Sequence, residues 1–150
     1  MLSRFFSVPL PVRTVAPDFT LHDQDGTAVT LSTLRGKNVL LVFYPADETR
    51  ICRQQLCEYR DLADVAKNRS ILIFGVNPGS AASHTDFRNR QKLPFPLLVD
   101  TGRRVASLYK ANGLMIKRTV YLIGRDGIIR FSKRGKPLPS EVFAEADTSG

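Results

Sequence analysis

The sequence predicts one α/β domain, a sandwich with a central mixed sheet, flanking helices and an N-terminal β-hairpin. Residues 39–44 and 71–76 are almost entirely apolar, which is typical of strands that are buried on both faces of a sheet. The segment between them has apolar residues at intervals of three and four, as an amphipathic helix does. A strand, a helix and a second strand in this order predict a parallel pair with a right-handed crossover.

The connecting helix is predicted over residues 53–68. Its apolar positions follow the helical spacing and are Leu56, Tyr59, Leu62, Ala63 and Ala66. A second helix is predicted over residues 80–91. Pro94 and Pro96 end it before a short strand at residues 97–99.

Two hairpins lie on either side of these elements in the sequence. Each has two short strands around an Asp-Gly turn: residues 18–21 and 28–31 around Asp25-Gly26, and residues 119–123 and 128–131 around Asp126-Gly127. The first hairpin is expected to cover an edge of the domain. Parallel strands followed by an antiparallel pair resemble the order of elements in a thioredoxin-like α/β sandwich.

A chain of 150 residues is long enough for one domain, residues 1–150. Residues 1–15 are expected to form an N-terminal arm, and residues 136–150 a tail that is either a frayed helix or flexible. No apolar run approaches the roughly 18 residues that span a bilayer, which excludes a membrane-spanning protein. No targeting signal is recognisable, so a cytoplasmic location is expected.

The formal net charge of +8 raises the question of nucleic-acid binding. The Lys and Arg residues are scattered along the chain without interleaved aromatic residues, so a solvated basic surface is the better interpretation. His22 and His84 have no cysteine or carboxylate at metal-ligand spacing, and neither a metal site nor a bound cofactor is expected. The two cysteines, Cys52 and Cys57, match no zinc or haem motif and are either redox-active or inert.

Cys52 lies where the loop after the first central strand turns into the predicted helix, at the carboxyl end of the sheet. A cysteine reacts as its thiolate, and lowering the thiol pKa from about 8.5 to about 6 requires roughly 3 kcal/mol. A helix N-terminus typically supplies about 0.3–1 kcal/mol and at best about 2 kcal/mol. A nearby cation is therefore needed, and Arg50, Arg53 and Arg118 are candidates. The alternative is that Cys52 is a small buried hydrophobic residue, and its position alone leaves both interpretations open.

The residues before Cys52 favour a reactive thiol. Pro45, Thr49 and Cys52 have the P-x-x-x-T-x-x-C spacing of the peroxiredoxins, and the chain resembles that family. Three further segments resemble peroxiredoxin segments in the same order: residues 16–21, 93–100 and 118–123. With a second cysteine five positions after the first, the chain is most similar to the branch of the bacterioferritin comigratory proteins, or Q-type peroxiredoxins.

The resemblance implies a role for each residue of the motif. Cys52 would attack the peroxide and become a sulfenic acid. Thr49 would hold the peroxide or the thiolate through its hydroxyl, although it also suits a turn or helix cap. Pro45 would shield the thiolate from water, or it simply ends a strand. Arg118 would stabilise charge on the breaking O–O bond if its strand runs antiparallel to the central strands; the alternative is a surface arginine.

The resemblance also implies that Cys57 resolves the oxidised Cys52 as an intramolecular disulfide. Residues five apart on an ideal helix have Cα atoms about 8.6 Å apart, beyond the roughly 7 Å limit for a disulfide. The first turns of the helix must therefore unwind if this bond forms. The alternative is a buried helix cysteine that never reacts.

Two residues depart from the pattern of the family. Gln55 stands where a glutamate is common, and it can orient an arginine but not neutralise it. Arg53 replaces a small polar residue and adds positive charge beside Cys52. Both changes are expected to favour the thiolate.

The sequence thus predicts a thiol-dependent peroxidase that acts on hydrogen peroxide or organic hydroperoxides. A thioredoxin or a similar dithiol would reduce its disulfide again. One alternative is a thioredoxin-like redox sensor without peroxidase turnover. The other is a thiol-disulfide oxidoreductase, although such enzymes typically have a C-x-x-C pair and this chain has C-x-x-x-x-C. A monomer is the expected state, with a dimer as the alternative.

Overall fold

The computed structural model describes residues 8–147, and a single seven-stranded sheet runs through it. The strands are β1 (Thr20–Asp23), β2 (Ala28–Thr30), β3 (Asn38–Phe43), β4 (Ile71–Asn77), β5 (Leu97–Val99), β6 (Thr119–Ile123) and β7 (Ile129–Arg134). Their order across the sheet is β2-β1-β5-β4-β3-β6-β7. The thioredoxin-like α/β architecture predicted from the sequence is confirmed.

Within residues 8–147, five α-helices connect or follow these strands. They are α1 (Arg50–Asp61), α2 (Ala63–Asn68), α3 (Ala81–Gln91), α4 (Arg104–Leu108) and α5 (Pro139–Phe143). Short 3-10 helices occupy Leu31–Leu34 and Thr101–Arg103. Among the described residues, no helix has both the length and the apolar character that crossing a membrane requires.

The middle of the sheet is parallel and its margins are antiparallel. Strand β3 pairs with β4, and β4 with β5, in parallel. Strand β6 lies antiparallel to β3 on the other side, with Thr119 opposite Phe43. The first residues of β6 are therefore at the same end of the sheet as the last residues of β3. The N-terminal hairpin pairs with β5 and extends that edge, as expected.

Alternation along β3 divides the core into two clusters, one on each face of the sheet. Val39, Leu41 and Phe43 belong to one cluster, and Leu40 and Val42 to the other, because successive side chains of a strand point to opposite faces. All six residues of β3 are buried. The second cluster includes the buried face of α1, which presents Cys52, Leu56 and Tyr59.

The predicted helix over residues 53–68 is corrected at two points. It begins earlier, at Arg50, so Cys52 lies inside its first turn, and it is interrupted at Leu62. Leu62 has φ −113° and ψ 21°, outside the helical region, and it packs against the second core cluster. Leucine is a good helix former, so the interruption follows from tertiary packing rather than from local preference.

Both ends of the described chain make contacts with the rest of the domain. Val15 forms a β-bridge with Ile128, which joins the N-terminal arm to the last hairpin. In the tail, Val142 and Phe143 of α5 are buried in the second core cluster. Whether the tail is frayed or flexible stays a prediction. The expectations for residues 1–7 and 148–150 lie outside the described residues.

Candidate active site

Cys52 is the third residue of α1 and is fully buried. The helix begins after Thr49, whose backbone is extended at φ −75° and ψ 150°. No acidic residue lies in the first turn, whereas Arg50 and Arg53 do. The sulfur is thus at the positive end of the helix, where an anion is stabilised.

Arg118 provides a cation at the sulfur. Its Nη2 atom donates to Cys52 Sγ at 3.3 Å. Arg118 immediately precedes β6, and the antiparallel pairing of β6 with β3 brings its side chain to the end of the sheet where α1 begins. Of the three arginines considered from the sequence, Arg118 is the one with this contact.

Gln55 holds the other branch of the Arg118 guanidinium. Its Oε1 atom accepts from Arg118 Nη1 at 2.8 Å, and its Nε2 atom donates to the carbonyl of Gly135 at 3.3 Å. The Gln55 side chain is fully buried one turn beyond Cys52. Because the amide is neutral, it fixes the orientation of the guanidinium and leaves its charge directed at the sulfur.

Pro45 and Thr49 line a surface hollow together with Arg118. The Thr49 hydroxyl donates to the Ala46 carbonyl at 3.4 Å, a long bond, and makes no capping bond to the helix. The hollow is also lined by Ile51 and Met115, whose side chains are exposed apolar groups. Pro45, Thr49 and Arg118 are therefore brought together around the helix turn that contains Cys52.

Cys57 is not brought close to Cys52. Both cysteines are free, and Cys57 lies one and a half helical turns further along α1. Its thiol donates to Gln91 Oε1, at the end of α3, with an S···O distance of 3.6 Å. A disulfide between the two cysteines requires a different conformation of α1.

A buried polar cluster that no sequence pattern indicates lies at the loop that leads to Cys52. Asp47 accepts from the Tyr44 hydroxyl at 2.6 Å and from the Ser83 hydroxyl at 2.7 Å, and it contacts His84 Nδ1 at 2.7 Å. The other ring nitrogen of His84 lies 3.0 Å from the carbonyl oxygen of Leu98. Both ring nitrogens thus have an oxygen partner within hydrogen-bond distance.

The environment of Asp47 favours its ionised form. Burial by itself would raise the pKa of Asp47, but hydrogen bonds from His84, Tyr44 and Ser83 together hold it below its ordinary value. Burial, followed by the charge of Asp47, raises the pKa of Tyr44 well above its ordinary value, so this phenol stays protonated and donates to Asp47. No local sequence signal marks this cluster, because its members come from the loop after β3 and from α3.

The described residues contain no group of three or more His, Cys, Asp or Glu side chains that could hold a metal ion. His84 is buried and engaged with Asp47.

The chain belongs to the AhpC/TSA family, whose model matches residues 12–132. Within it, the chain falls in the Q-type branch of the peroxiredoxins. It is 37% identical over 137 residues to a chloroplastic peroxiredoxin Q of Oryza sativa subsp. japonica, covering 87% of this chain and 62% of the rice protein. Against the chloroplastic peroxiredoxin Q of Sedum lineare, 37% identity extends over 133 residues, 86% of this chain and 72% of that protein. The chain thus spans less than two thirds of the length of the rice relative.

Solved structures give the same fold. Peroxidoxin BcpB from Mycobacterium tuberculosis has a TM-score of 0.84 and 26% identity, and the match covers 91% of this chain and 96% of that one. The bacterioferritin comigratory protein of Xanthomonas campestris has a TM-score of 0.80 at 22% identity, covering 92% of this chain and 94% of that one.

Proposed function

We propose that this chain is a thiol-dependent peroxidase that reduces hydrogen peroxide or organic hydroperoxides at Cys52. The observation that carries the proposal is the contact between Arg118 and the Cys52 sulfur, 3.3 Å long, beside a hollow lined by Thr49 and Pro45. A buried thiol has no structural need of a guanidinium, whereas a reacting thiolate does.

In the first step the Cys52 thiolate attacks the distal oxygen of the hydroperoxide, and the O–O bond breaks. The sulfur becomes a sulfenic acid, and the other oxygen leaves as an alcohol or, from hydrogen peroxide, as water. Arg118 stabilises the charge that spreads over both oxygens. The Thr49 hydroxyl, with only a long bond to Ala46, is free to turn toward the bound peroxide.

In the second step the Cys57 thiol displaces the sulfenic oxygen as water and forms a disulfide with Cys52. This step needs the unwinding of α1 between the two cysteines, because the helical positions are too far apart. A thioredoxin-type dithiol then reduces the disulfide by thiol exchange and restores both thiols.

The apolar lining of the hollow supports the proposal that organic hydroperoxides are substrates as well as hydrogen peroxide. Ile51 and Met115 are exposed by 52% and 63%, and both line it. An alkyl group placed against these side chains would remove apolar surface from water on both partners. The bacterioferritin comigratory protein of Xanthomonas campestris is described as having alkyl peroxide reduction activity, which agrees with such a pocket.

Multiple turnovers distinguish this proposal from the alternatives. We expect the wild type to consume many equivalents of peroxide with a thioredoxin system, and Cys52→Ser to consume none. Cys57→Ser should form the sulfenic acid without the disulfide, which mass spectrometry after one equivalent of peroxide would detect. A single oxidation per wild-type chain would instead indicate a redox sensor, and reduction of protein disulfides without peroxide consumption would indicate an oxidoreductase.

The location and the oligomeric state stay predictions. The sequence predicts a cytoplasmic monomer, while the plant relatives are named as chloroplastic proteins. Cell fractionation decides the first point, and light scattering of the reduced and the oxidised protein decides the second.

A further inference from the structure

We propose that Gln91 and Arg60 hold Cys57 in its helical position, and that release of this hold decides whether oxidised Cys52 is resolved or oxidised further. The inference rests on the proposed function, since it assigns two positioning residues to the resolving step. Neither residue touches the peroxide or the reacting sulfur of Cys52.

Two bonds from α1 converge on the last residue of α3. The Cys57 thiol donates to the Gln91 side-chain oxygen at 3.6 Å, and Arg60 Nη1 donates to the Gln91 carbonyl oxygen at 2.7 Å. Cys57 and Arg60 are three residues apart and so lie on the same side of α1. Gln91 thus fastens the second half of α1 to the end of α3.

The opposite end of this segment is held more firmly. Cys52 is fully buried against Arg118, and the loop before it is fastened through Asp47, whose side chain is 4% exposed and has three hydrogen-bond partners. The bond from the Cys57 thiol is weak, and the Arg60 side chain is 34% exposed. When α1 unwinds, the Cys57 end is therefore the part that moves.

Two reactions compete for the sulfenic acid while Cys57 stays in place. Attack by Cys57 forms the S–S bond, breaks the S–O bond and releases water. A second hydroperoxide instead transfers one oxygen to the sulfur, giving a sulfinic acid and an alcohol or water, and this product is not recovered by a dithiol. A tighter hold on Cys57 lengthens the life of the sulfenic acid and favours the second reaction.

Gln91→Met tests the hold, because methionine keeps an unbranched side chain and removes the acceptor oxygen. Asn89→Met is the matched control on the same helix, at an exposed position. Gln91→Glu tests the opposite direction, since a carboxylate binds the thiol proton more strongly and opposes formation of the attacking thiolate. Rapid-quench mass spectrometry gives the rates of sulfenic acid and disulfide formation, and the sulfinic acid fraction is measured after turnover in excess hydrogen peroxide.

Disulfide formation should be about two- to five-fold faster in Gln91→Met, which is the effect of losing one neutral hydrogen bond. Disulfide formation should be slower in Gln91→Glu. The sulfinic acid fraction should therefore fall in Gln91→Met and rise in Gln91→Glu. Asn89→Met should match the wild type, and the rate of sulfenic acid formation should be the same in all four proteins. A disulfide rate in Gln91→Met no higher than in Asn89→Met would overturn the inference while leaving the peroxidase intact. Absence of sulfenic acid in the wild type would instead overturn the proposed function, and this inference with it.

Discussion

The guanidinium of Arg118 is shared between a sulfur and a neutral amide. One branch donates to Cys52 and the other to Gln55, both within hydrogen-bond reach. A carboxylate at position 55 would compete with the thiolate for the same positive charge. The side chain at this position therefore sets how much of the charge of Arg118 acts on the sulfur.

We expect Gln55→Glu to reduce the reactivity of Cys52 at neutral pH by roughly ten- to thirty-fold. A carboxylate on the other branch of the Arg118 guanidinium, at an effective dielectric constant of about 20, opposes the thiolate by an energy on the order of 2 kcal/mol. The rate of alkylation by iodoacetamide and the thiolate absorbance near 240 nm measure this directly.

Gln54→Glu is the control for that experiment. It adds the same charge one residue earlier, at an exposed position on the same hollow, where water and salt screen it and where the side chain is not bonded to Arg118 in this structure. Equal losses of reactivity in both variants would mean that the bond between Gln55 and Arg118 has no special part in activating the thiol.

Some of these residues can be identified from the sequence and others cannot. Arg118 is recognisable because it begins a strand expected to run antiparallel to β3, which fixes the end of the sheet at which it lies. The contact between Cys57 and Gln91 and the pairing of Asp47 with His84 join residues 34 and 37 positions apart. Both contacts depend on how α3 packs on the rest of the domain, and the spacing of residues in the sequence does not predict that packing.

At the scale of elements, the loop between β3 and α1 is fastened by its middle residue. Asp47 binds two residues of α3, Ser83 and His84, and also Tyr44, which directly follows β3. The loop carries Pro45 and Thr49 and leads directly into the turn with Cys52. Its position is thus coupled to the ionisation of one carboxylate.

The stability of this arrangement should depend on acid pH. The pKa of Asp47 is lower in the folded chain than the ordinary value of about 3.9, so the ionised carboxylate stabilises the fold above about pH 4. This contribution is lost as the pH falls through the folded value. We expect the wild type to have a higher Tm than Asp47→Asn at neutral pH, and the difference to narrow below about pH 4.

Thermal unfolding monitored by circular dichroism between neutral and acid pH checks this prediction. Asp86→Asn removes the same charge from an exposed position on α3 and serves as the control. A difference in Tm between wild type and Asp47→Asn that stays constant over this range would contradict the coupling.

The boundaries of the elements show where local patterns stop being informative. The strands and the two Asp-Gly hairpins follow from alternation and turn chemistry, and they lie within a few residues of their predicted positions. The sequence predicts the start of α1 at residue 53, three residues after the observed start at Arg50. The regular spacing of apolar residues from which the helix was predicted begins only after its first turn. Helix α5 is not predicted as a packed element, since only two apolar residues, Val142 and Phe143, anchor it.

At the scale of the whole molecule, the formal net charge of +8 acts over distances that no single contact reaches. Arg50 and Arg53, both exposed, add to this charge at the helix turn that contains Cys52. A positive field at the site attracts acidic partners and raises the rate at which they associate. The field does not change the association rate of uncharged partners.

We therefore expect the KM for an acidic thioredoxin-type reductant to rise as the salt concentration increases, because added ions screen the attraction between the two proteins. Steady-state assays at low and high sodium chloride measure it. Dithiothreitol is the control reductant, since it carries no charge at neutral pH. A KM for the protein reductant that does not change with salt would show that the basic surface has no part in this encounter.

The contact between Arg118 and Cys52 joins residues 66 positions apart in sequence, although β6 lies directly beside β3 in the sheet. During synthesis from the N-terminus, Cys52 is incorporated into the chain before Arg118. Until β6 pairs with β3, the thiol has the helix end and the exposed Arg50 and Arg53 near it, but not the guanidinium that contacts the sulfur. With Arg118 as the proposed activating cation, we expect Cys52 to become fully reactive only after β6 has paired with β3.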